Sequence, residues 1–353
     1  MNAREDILAL FSKKVPKRIP FLPFGELVPK GSFEREMRNR GMGLIPYNQA
    51  IWSEIQNVVT ENLIENGSRK TIYHTPKGDV YEVFGIHLGR IENSGTIQME
   101  YLIKDEKDFE PVIYMIENTS YSLDQTSIDF CKTELGDDGI LRYYLEEPPY
   151  VASVYYFGLE AWSYAQFDYP EEFERLIAAL DKRQDRYMKL VCECKGYDMI
   201  TLGNLAGNFG PQKFEKYVVP YCKKYLPMLK NAGNICSIHA DAINLEGFKH
   251  LLPEMGFDMI EAFTPPPVGN LSLSDARKVW GNEVIIMINF PETVFFEGYD
   301  YVKQFTLDLL RSDSSHNSFI SFTEMGLMSV NSKNKDMFYT GTRAIMDAID
   351  EIL

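Results

Sequence analysis

The sequence lacks long apolar runs and has few cysteines. No stretch approaches the roughly 20 consecutive apolar residues that a transmembrane helix needs, and the start, Met-Asn-Ala-Arg-Glu-Asp, leads into a charged amphipathic helix and not into the apolar stretch of a signal peptide. Five cysteines, an odd number spread over 353 residues, do not predict a disulfide framework. We therefore expect a cytoplasmic protein with reduced thiols and no membrane partner.

Positive charge is also scarce. The chain has 36 lysine and arginine residues against 51 aspartate and glutamate residues, a formal net charge of −15. Binding to a phosphate backbone requires clustered lysine and arginine, so we expect no nucleic-acid partner. Hydrophobic residues make up 45% and charged residues 25% of the chain, which is the balance of an ordinary globular protein.

Strand-like and helical segments alternate in the second half of the chain. Continuously apolar runs such as 284–288 (Val-Ile-Ile-Met-Ile) are typical of parallel strands covered on both faces. The predicted strands there are 197–202, 234–239, 258–263, 283–290 and 318–323. Segment 19–25 is a candidate first strand, and segments near 43–47 and 140–145 are interpreted as the second and third. Repeated βα units predict an α/β fold, a parallel sheet that closes into a (β/α)8 TIM barrel.

A small antiparallel insertion interrupts this pattern. The turn signal at 76–79 (Pro-Lys-Gly-Asp) has β-like runs on both sides, which is typical of a β-hairpin, and a third β-like run follows at 96–103. No linker or low-complexity tract separates these parts. We therefore predict a single domain over residues 1–353, with a β-hairpin insertion at 71–103.

A histidine and three carboxylates are predicted at one mouth of the barrel. Active sites of such barrels lie at the carboxyl ends of the strands, and these ends carry His239, Asp241, Glu261 and Glu324. His239 and Asp241 are two residues apart, so in an extended chain their side chains leave the same face. The carboxylates would repel one another unless protons or a cation intervened, and imidazole with carboxylates suits zinc among other ions. The set favours a metal or acid–base site, whereas any one of these residues alone is better explained by capping of the next helix or pairing with a loop amide.

Three asparagines near the same mouth are candidate substrate-binding residues. The loop 202–210 (Leu-Gly-Asn-Leu-Ala-Gly-Asn-Phe-Gly) follows a predicted strand, the position from which such enzymes contact ligands. Asn204 and Asn208 lie in that loop, and Asn289 lies near the end of a later predicted strand. We predict that these amides orient the substrate.

Motifs in the second half of the sequence resemble the uroporphyrinogen decarboxylase superfamily. They are 258–267 (Asp-Met-Ile-Glu-Ala-Phe-Thr-Pro-Pro-Pro), 269–273 (Gly-Asn-Leu-Ser-Leu) and 288–291 (Ile-Asn-Phe-Pro). The resemblance covers most of residues 15–350 and implies a (β/α)8 barrel. The decarboxylase branch itself matches poorly. Its arginine-containing N-terminal motif for porphyrinogen carboxylates corresponds here to 24–31 (Phe-Gly-Glu-Leu-Val-Pro-Lys-Gly), which has no arginine.

The corrinoid-dependent methyltransferase branch is the better match. Its members bind zinc at the barrel mouth, and thiol-methylating members use a His-x-Cys pair and a later cysteine as ligands. Here the first motif is 239–241 (His-Ala-Asp), and Glu324 stands where the later cysteine falls. Oxygen and nitrogen donors make a harder, more Lewis-acidic site than thiolates do, which suits a methyl donor with an oxygen leaving group. Segments 18–20, 34–43 and 73–78 are similar to a group associated with O-demethylation of methoxylated aromatics.

The resemblance implies a zinc-dependent methyltransferase acting on a small methoxylated aromatic. His239, Glu261 and Glu324 would hold the zinc, with Asp241 as a further ligand or beside one, and Glu261 and Asp241 are the predicted catalytic carboxylates. Zinc would polarise the ether oxygen, and the methyl group would pass to the cob(I)alamin of a separate corrinoid protein.

Several alternatives stay open at this point. They are a methyltransferase for a methylamine, methanol or thioether, a uroporphyrinogen-decarboxylase-like lyase that needs no metal, and a non-catalytic ligand-binding barrel. A homodimer is compatible with the sequence, as is a monomer.

Overall fold

The chain divides into two compact units. The computed structural model describes residues 2–86, 97–205, 209–241, 244–313, 315–322 and 334–352. Unit 1 comprises Met1–Ala50, Asp124–Glu146 and Cys194–Leu353, and unit 2 comprises Ile51–Leu123 and Glu147–Glu193. The sequence predicted one domain with an insertion at 71–103. In the structure that hairpin belongs to a larger unit, because its strands pair with further strands and pack against a helix of their own.

The regular elements are numbered in chain order. The helices are α1 (Ala3–Phe11), α2 (Ser32–Asn39), α3 (Phe109–Glu117), α4 (Gln125–Leu135), α5 (Pro149–Ser153), α6 (Leu159–Asp168), α7 (Pro170–Glu193), α8 (Pro211–Asn231), α9 (Leu251–Met255), α10 (Leu273–Trp280), α11 (Tyr299–Arg311) and α12 (Lys335–Ile352). The strands are β1 (Ile51–Ile55), β2 (Val59–Glu65), β3 (Ser68–Thr75), β4 (Gly78–Gly85), β5 (Ile97–Glu100), β6 (Thr119–Leu123), β7 (Arg142–Tyr144), β8 (Met199–Asn204), β9 (Ile235–His239), β10 (Met259–Phe263), β11 (Ile285–Asn289) and β12 (Ser318–Ser321). Within these ranges, no helix combines the length and apolarity that a bilayer crossing requires.

Unit 1 is built on a six-stranded parallel sheet. Its strand order is β12-β11-β10-β9-β8-β7, and each adjacent pair is parallel. A helix follows each of the strands β8 to β11 before the next strand begins. The five strands predicted in the second half of the chain are confirmed to within two residues at each end. Unit 1 therefore has the predicted α/β character.

Two short segments near the N-terminus extend this sheet through isolated bridges. Both contain prolines, at 20, 23 and 46, and a proline has no N–H to donate to a strand ladder. They lie where the sequence predicted the first and second strands, and β7 lies where it predicted the third. The parallel bridges join Phe21 to Ile320, Phe24 to Ile45, Leu44 to Gly139 and Tyr47 to Arg142.

The buried side chains of the sheet in unit 1 form two layers, one apolar and one polar. Met199 and Met259 are fully buried in the main hydrophobic cluster, which also includes side chains of α12 and of the N-terminal segments. Side chains two residues apart on a strand share a face. Thr201 and Glu261, which follow these methionines at that spacing, are also fully buried. A polar layer therefore lies directly above the apolar core, towards the carboxyl ends of the strands.

Unit 2 contains the predicted hairpin. β3 and β4 pair antiparallel around the turn, where Thr75 lies opposite Gly78, and Gly78 has a φ of 123° that suits glycine. β2 and β5 complete a four-stranded sheet, and β1 pairs with β6. α3 packs on β3 and β4, and α7 packs on α3, α5 and α6. This cover matters because an isolated two-stranded hairpin is marginally stable in water.

Candidate functional site

Polar side chains from four neighbouring strands, β7, β8, β9 and β10, meet in the polar layer of unit 1. The register brings them together: Thr201 lies opposite Ser237, and Glu261 lies opposite His239. Arg142 enters from β7. Because adjacent parallel strands place register partners side by side, the cluster follows directly from strand order.

Glu261 is the centre of this cluster and is fully buried. Arg142 donates through Nη1 to Oε1, while Thr201 donates to Oε2 at 2.5 Å and Ser237 lies 3.1 Å from the same oxygen. Burial acts to raise the pKa of Glu261, but the charge of Arg142 and the contact with His239 outweigh it and lower that pKa to about 2. Glu261 is therefore an anion, since a buried carboxylate keeps its charge only when it is paired and hydrogen-bonded.

His239 lies between two carboxylates. Its Nδ1 is 3.1 Å from Glu261 Oε1, and its Nε2 is 3.5 Å from Asp241 Oδ2. Burial acts to lower the pKa of His239, but the contacts with Asp241 and Glu261 outweigh it and raise that pKa to about 9. With only protein groups around it, the ring is therefore a cation that donates to Glu261 through Nδ1.

Arg142 is a site residue that the sequence analysis did not identify. It is 6% exposed, and its guanidinium carbon lies 3.9 Å from the ring centroid of Phe24 and 5.5 Å from that of Tyr144. Tyr144 in turn meets the ring of His239 edge-on at 5.9 Å. A signal was present, because an arginine inside the apolar run 140–145 must find a buried partner.

Irregular backbone borders the cluster on two strands. The pairing of β8 with β9 shifts register between Leu202 and Asn204, and that of β10 with β11 shifts between Ile260 and Phe263. Ala262, next to Glu261, has a φ of 59°, a region that residues other than glycine rarely occupy. Bulges and strained residues of this kind are frequent beside active sites, where they re-aim a side chain.

The structure brings together three of the four predicted metal-site residues. His239, Asp241 and Glu261 are in contact through the two distances given above, and the side chain of Asp241 is 31% exposed. Glu324, the fourth, lies outside the described residues.

The predicted substrate-binding asparagines differ in their surroundings. Asn204 lies opposite His239 in the strand register, close to the cluster. Asn289 is 1% exposed and donates through Nδ2 to Thr264 Oγ1 at 2.9 Å, so its amide is engaged inside the protein. Asn208 falls outside the described ranges.

Of the side chains in the cluster, only His239 and Asp241 are spaced to bind one metal ion together. Among the described residues, no three His, Cys, Asp or Glu side chains are arranged to hold an ion. The oxygens of Glu261 already accept from Arg142 and Thr201, so they are poorly placed for a metal. His239 Nε2 and Asp241 Oδ2, at 3.5 Å, have nearly the separation of about 3.3 Å expected for two ligand atoms on one tetrahedral zinc. The pair supplies two ligands, and a third has to come from outside the described ranges, where Glu324 lies.

Fold and cluster together define a class of protein. An α/β unit with a parallel sheet places its active site at the carboxyl ends of the strands, and a buried Arg–Glu–His cluster lies there. The class is that of α/β enzymes with a site at the strand ends.

Comparisons with known proteins agree with this class. Uroporphyrinogen decarboxylase from Synechocystis sp. is 20% identical to the chain over 235 residues, covering 64% of the chain and 65% of that protein. The enzyme of the same name from Crocosphaera subtropica is 19% identical over 235 residues, covering 64% of each. The chain thus spans slightly less than two thirds of the length of these curated relatives. No family model matches the chain.

A solved structure extends the likeness to the whole chain. A methyltransferase from Methanosarcina mazei shares the fold with a TM-score of 0.60 at 11% identity, covering 100% of this chain and 99% of that one. Together with the curated relatives, it confirms the resemblance to the uroporphyrinogen decarboxylase superfamily. The O-demethylase branch stays a prediction.

Proposed function

We propose that this chain is a methyltransferase that moves a methyl group from a methoxylated aromatic to a corrinoid carried by a separate protein. The observation that supports it is the setting of His239. A buried carboxylate holds its Nδ1 side, and its Nε2 side faces Asp241. Metal-binding histidines are commonly oriented by a carboxylate on the nitrogen that does not bind the metal.

A closed (β/α)8 barrel is part of this proposal. The six strands of unit 1 and the two proline-containing segments make eight, and parallel bridges run from β12 through both segments to β7. Closure would place every strand end at one mouth. The strand that ends in Ser321 would then bring Glu324 to the same mouth as His239 and Asp241.

The proposed metal ligands are His239, Asp241 and Glu324. Glu261 is assigned a different role from the one predicted, because its oxygens are occupied by Arg142 and Thr201 and it can only orient His239. When bound, zinc supplies Lewis acidity, which stabilises an oxygen leaving group. An aryl methyl ether is a poor methyl donor without such stabilisation.

Other residues of the chain bind and orient the donor in this proposal. Asn204, opposite His239 in register, would donate a hydrogen bond to a substrate oxygen. Tyr144, whose ring meets His239 edge-on, provides an aromatic wall of the kind that flat ligands stack against. Asn208 keeps its predicted role as a loop contact, and Asn289 acts through Thr264, to which it donates.

A lyase that needs no metal is the second candidate. A histidine flanked by two carboxylates is also an arrangement for acid–base chemistry, and the curated relatives are decarboxylases. In that reading His239 exchanges a proton with the substrate and Asp241 supports its charge. Segment 24–31, which lacks the arginines of the decarboxylase motif, argues against a porphyrinogen as the substrate.

Metal content separates the two candidates. We expect about one zinc per chain in the purified protein, and loss of retained zinc in His239→Ala, Asp241→Asn and Glu324→Gln, measured by elemental analysis after dialysis. His250→Ala is the matched control, because His250 is an exposed histidine of unit 1 and its removal should leave zinc content unchanged. Full metal occupancy in a His239→Ala/Glu324→Ala double variant would contradict the ligand assignment, whereas a wild-type protein that retains no zinc would favour the lyase.

A further inference from the structure

Arg142 has an environment that stability alone does not explain. Its guanidinium is buried against Phe24, and its Nε has no hydrogen-bond partner among the described residues. Its ion-pair partner among the described residues is Glu261, itself fully buried. Replacing a buried ion pair by apolar residues of similar volume is often neutral or stabilising, and an unmade buried hydrogen bond adds a further cost. The pair therefore calls for a role other than packing.

The position of the Arg142–Glu261 pair beside His239 indicates what that role is. Oε1 of Glu261 receives both Arg142 Nη1 and His239 Nδ1, while Oε2 receives Thr201. These contacts fix the plane of the carboxylate, and the carboxylate in turn fixes the ring of His239. Among the described residues, Arg142 pairs with Glu261 and forms no ion pair with Asp241, which pairs with His239.

We propose that Arg142 is a positioning residue that acts through Glu261 to hold the His239 ring with Nδ1 inward and Nε2 towards Asp241. This inference rests on the proposed function, since the orientation matters most if Nε2 binds a metal. Without Arg142, Glu261 would be a buried carboxylate with no cationic arginine beside it. Its Oε1 would lose one of the two contacts that fix the carboxylate, and the carboxylate would then no longer hold the His239 ring in one orientation.

Arg142→Met, with Arg277→Met as a matched control, tests this role. Arg277 pairs with Asp313 through bonds of 2.9 and 3.0 Å, and the side-chain exposures of the two pairs are nearly equal, 7% and 1% against 7% and 0%. Both variants leave a buried carboxylate unpaired, so both should lower thermal stability. Only Arg142→Met should weaken zinc binding, by about 10–100-fold as is typical when a partner of a metal ligand is lost. Zinc affinity is measured by competition with a chromophoric chelator.

A second readout does not depend on zinc. The proton on His239 Nδ1, held by Glu261, should give a low-field, slowly exchanging NMR signal in the wild type and in Arg277→Met, and should lose it in Arg142→Met. If Arg142→Met does not fold, the double variant Arg142→Met/Glu261→Gln removes the unpaired charge and should show the same two losses.

The inference is overturned if folded Arg142→Met keeps wild-type zinc affinity and the His239 signal, or if Arg277→Met loses both to the same degree. A wild-type protein that binds no zinc would instead refute the proposed function. The NMR comparison would then still decide whether Arg142 positions His239.

Discussion

Two buried carboxylates of unit 1 show how single residues carry charge inside this protein. Glu261 pairs with Arg142, and Asp313 pairs with Arg277. Arg277 also donates to the main chain of Val284 and Asn317, so this second pair ties α10 to the segments that precede β11 and β12. The first pair lies beside His239 instead. A buried arginine–carboxylate pair thus joins structural elements of unit 1 at one place and belongs to the candidate site at the other.

Asp313 predicts a pH dependence of stability. Burial acts to raise the pKa of Asp313, but hydrogen bonds from Arg277 and Ser315 outweigh it and lower that pKa below its ordinary value of 3.8. A lowered folded-state pKa means that the pair contributes stability above the unfolded-state pKa and loses it as the pH falls through the folded-state pKa.

The variant Asp313→Asn measures this contribution. It should cost about 3 kcal/mol of unfolding free energy near neutral pH, because Arg277 is left buried and unpaired. The difference from the wild type should shrink as the pH is lowered towards 3, measured by urea denaturation at each pH. A difference that stays constant with pH would show that the charge of Asp313 is not what stabilises this region.

At the scale of elements, the two proline-containing segments extend the sheet of unit 1 through isolated bridges only. Each contributes single bridges rather than a ladder, because prolines remove donors. Backbone hydrogen bonds still join them to their neighbours, for example from Leu22 N to Ile320 O and from Ile140 N to Leu44 O, and the approach to the start of β7 is close. Gly139 lies so near to the main chain of Leu44 that an added Cβ would stand 1.9 Å from the Leu44 carbonyl oxygen.

Gly139→Ala should therefore disrupt the contact between segment 44–47 and the start of β7. We expect a loss of more than about 3 kcal/mol in unfolding free energy or a failure to fold, since backbone atoms cannot move aside as a flexible side chain can. Gly25→Ala is the control, because its Cβ would meet Pro46 at an ordinary contact distance of 3.4 Å. Equal melting temperatures for the wild type and Gly139→Ala would contradict the close approach.

Elements differ in how far the sequence predicts them. β8 to β12 were predictable because each is a short apolar run next to a turn residue, and local pattern is enough for such strands. The pairing of β1 with β6 was not predictable in this way, because it joins residues 51–55 to 119–123 and no local pattern specifies a partner so distant in sequence.

The candidate site was predictable in part for the same reason. The rule that strand ends carry the chemistry led to His239, Asp241 and Glu261, because it needs only the position of each residue on its own strand. The role of Glu261 depends on its partners, and these depend on register. The sequence predicted a metal ligand at 261, whereas the structure places its oxygens against Arg142 and Thr201.

Considered as a whole, the molecule is strongly acidic, with a formal net charge of −15, yet its candidate site is nearly balanced. Arg142 offsets Glu261, and His239 lies beside Asp241. Among the described residues of the cluster, positive and negative charges are thus equal in number, and the excess of negative charge lies elsewhere. A large net negative charge disfavours the binding of polyanions and is compatible with the docking of a protein partner.

At the scale of the whole molecule, we predict that methyl transfer requires two proteins, this chain and a separate corrinoid protein. Mixed with a reduced corrinoid protein and a methoxylated aromatic, the chain should transfer the methyl group, and the cobalt absorbance should change accordingly. A panel of other methyl donors identifies the substrate, and His239→Ala in the same mixture should be inactive. If the isolated chain binds cobalamin stoichiometrically and turns over alone, the proposed partner is wrong.

Glu261 contacts the end of β9 through both its side chain and its main chain, and these two contacts affect how a ligand would bind. Its side chain engages His239, and its main-chain oxygen accepts the amide of Ala240 at 2.7 Å. Protein contacts therefore hold the end of β9, which carries His239, without the help of a metal. Small zinc domains that fold only around their metal couple metal binding to folding, whereas the proposed site would be preorganised. A frame that fixes the spacing of its donor atoms discriminates between ions by size and geometry, and much less by the raw affinity order in which transition metals compete.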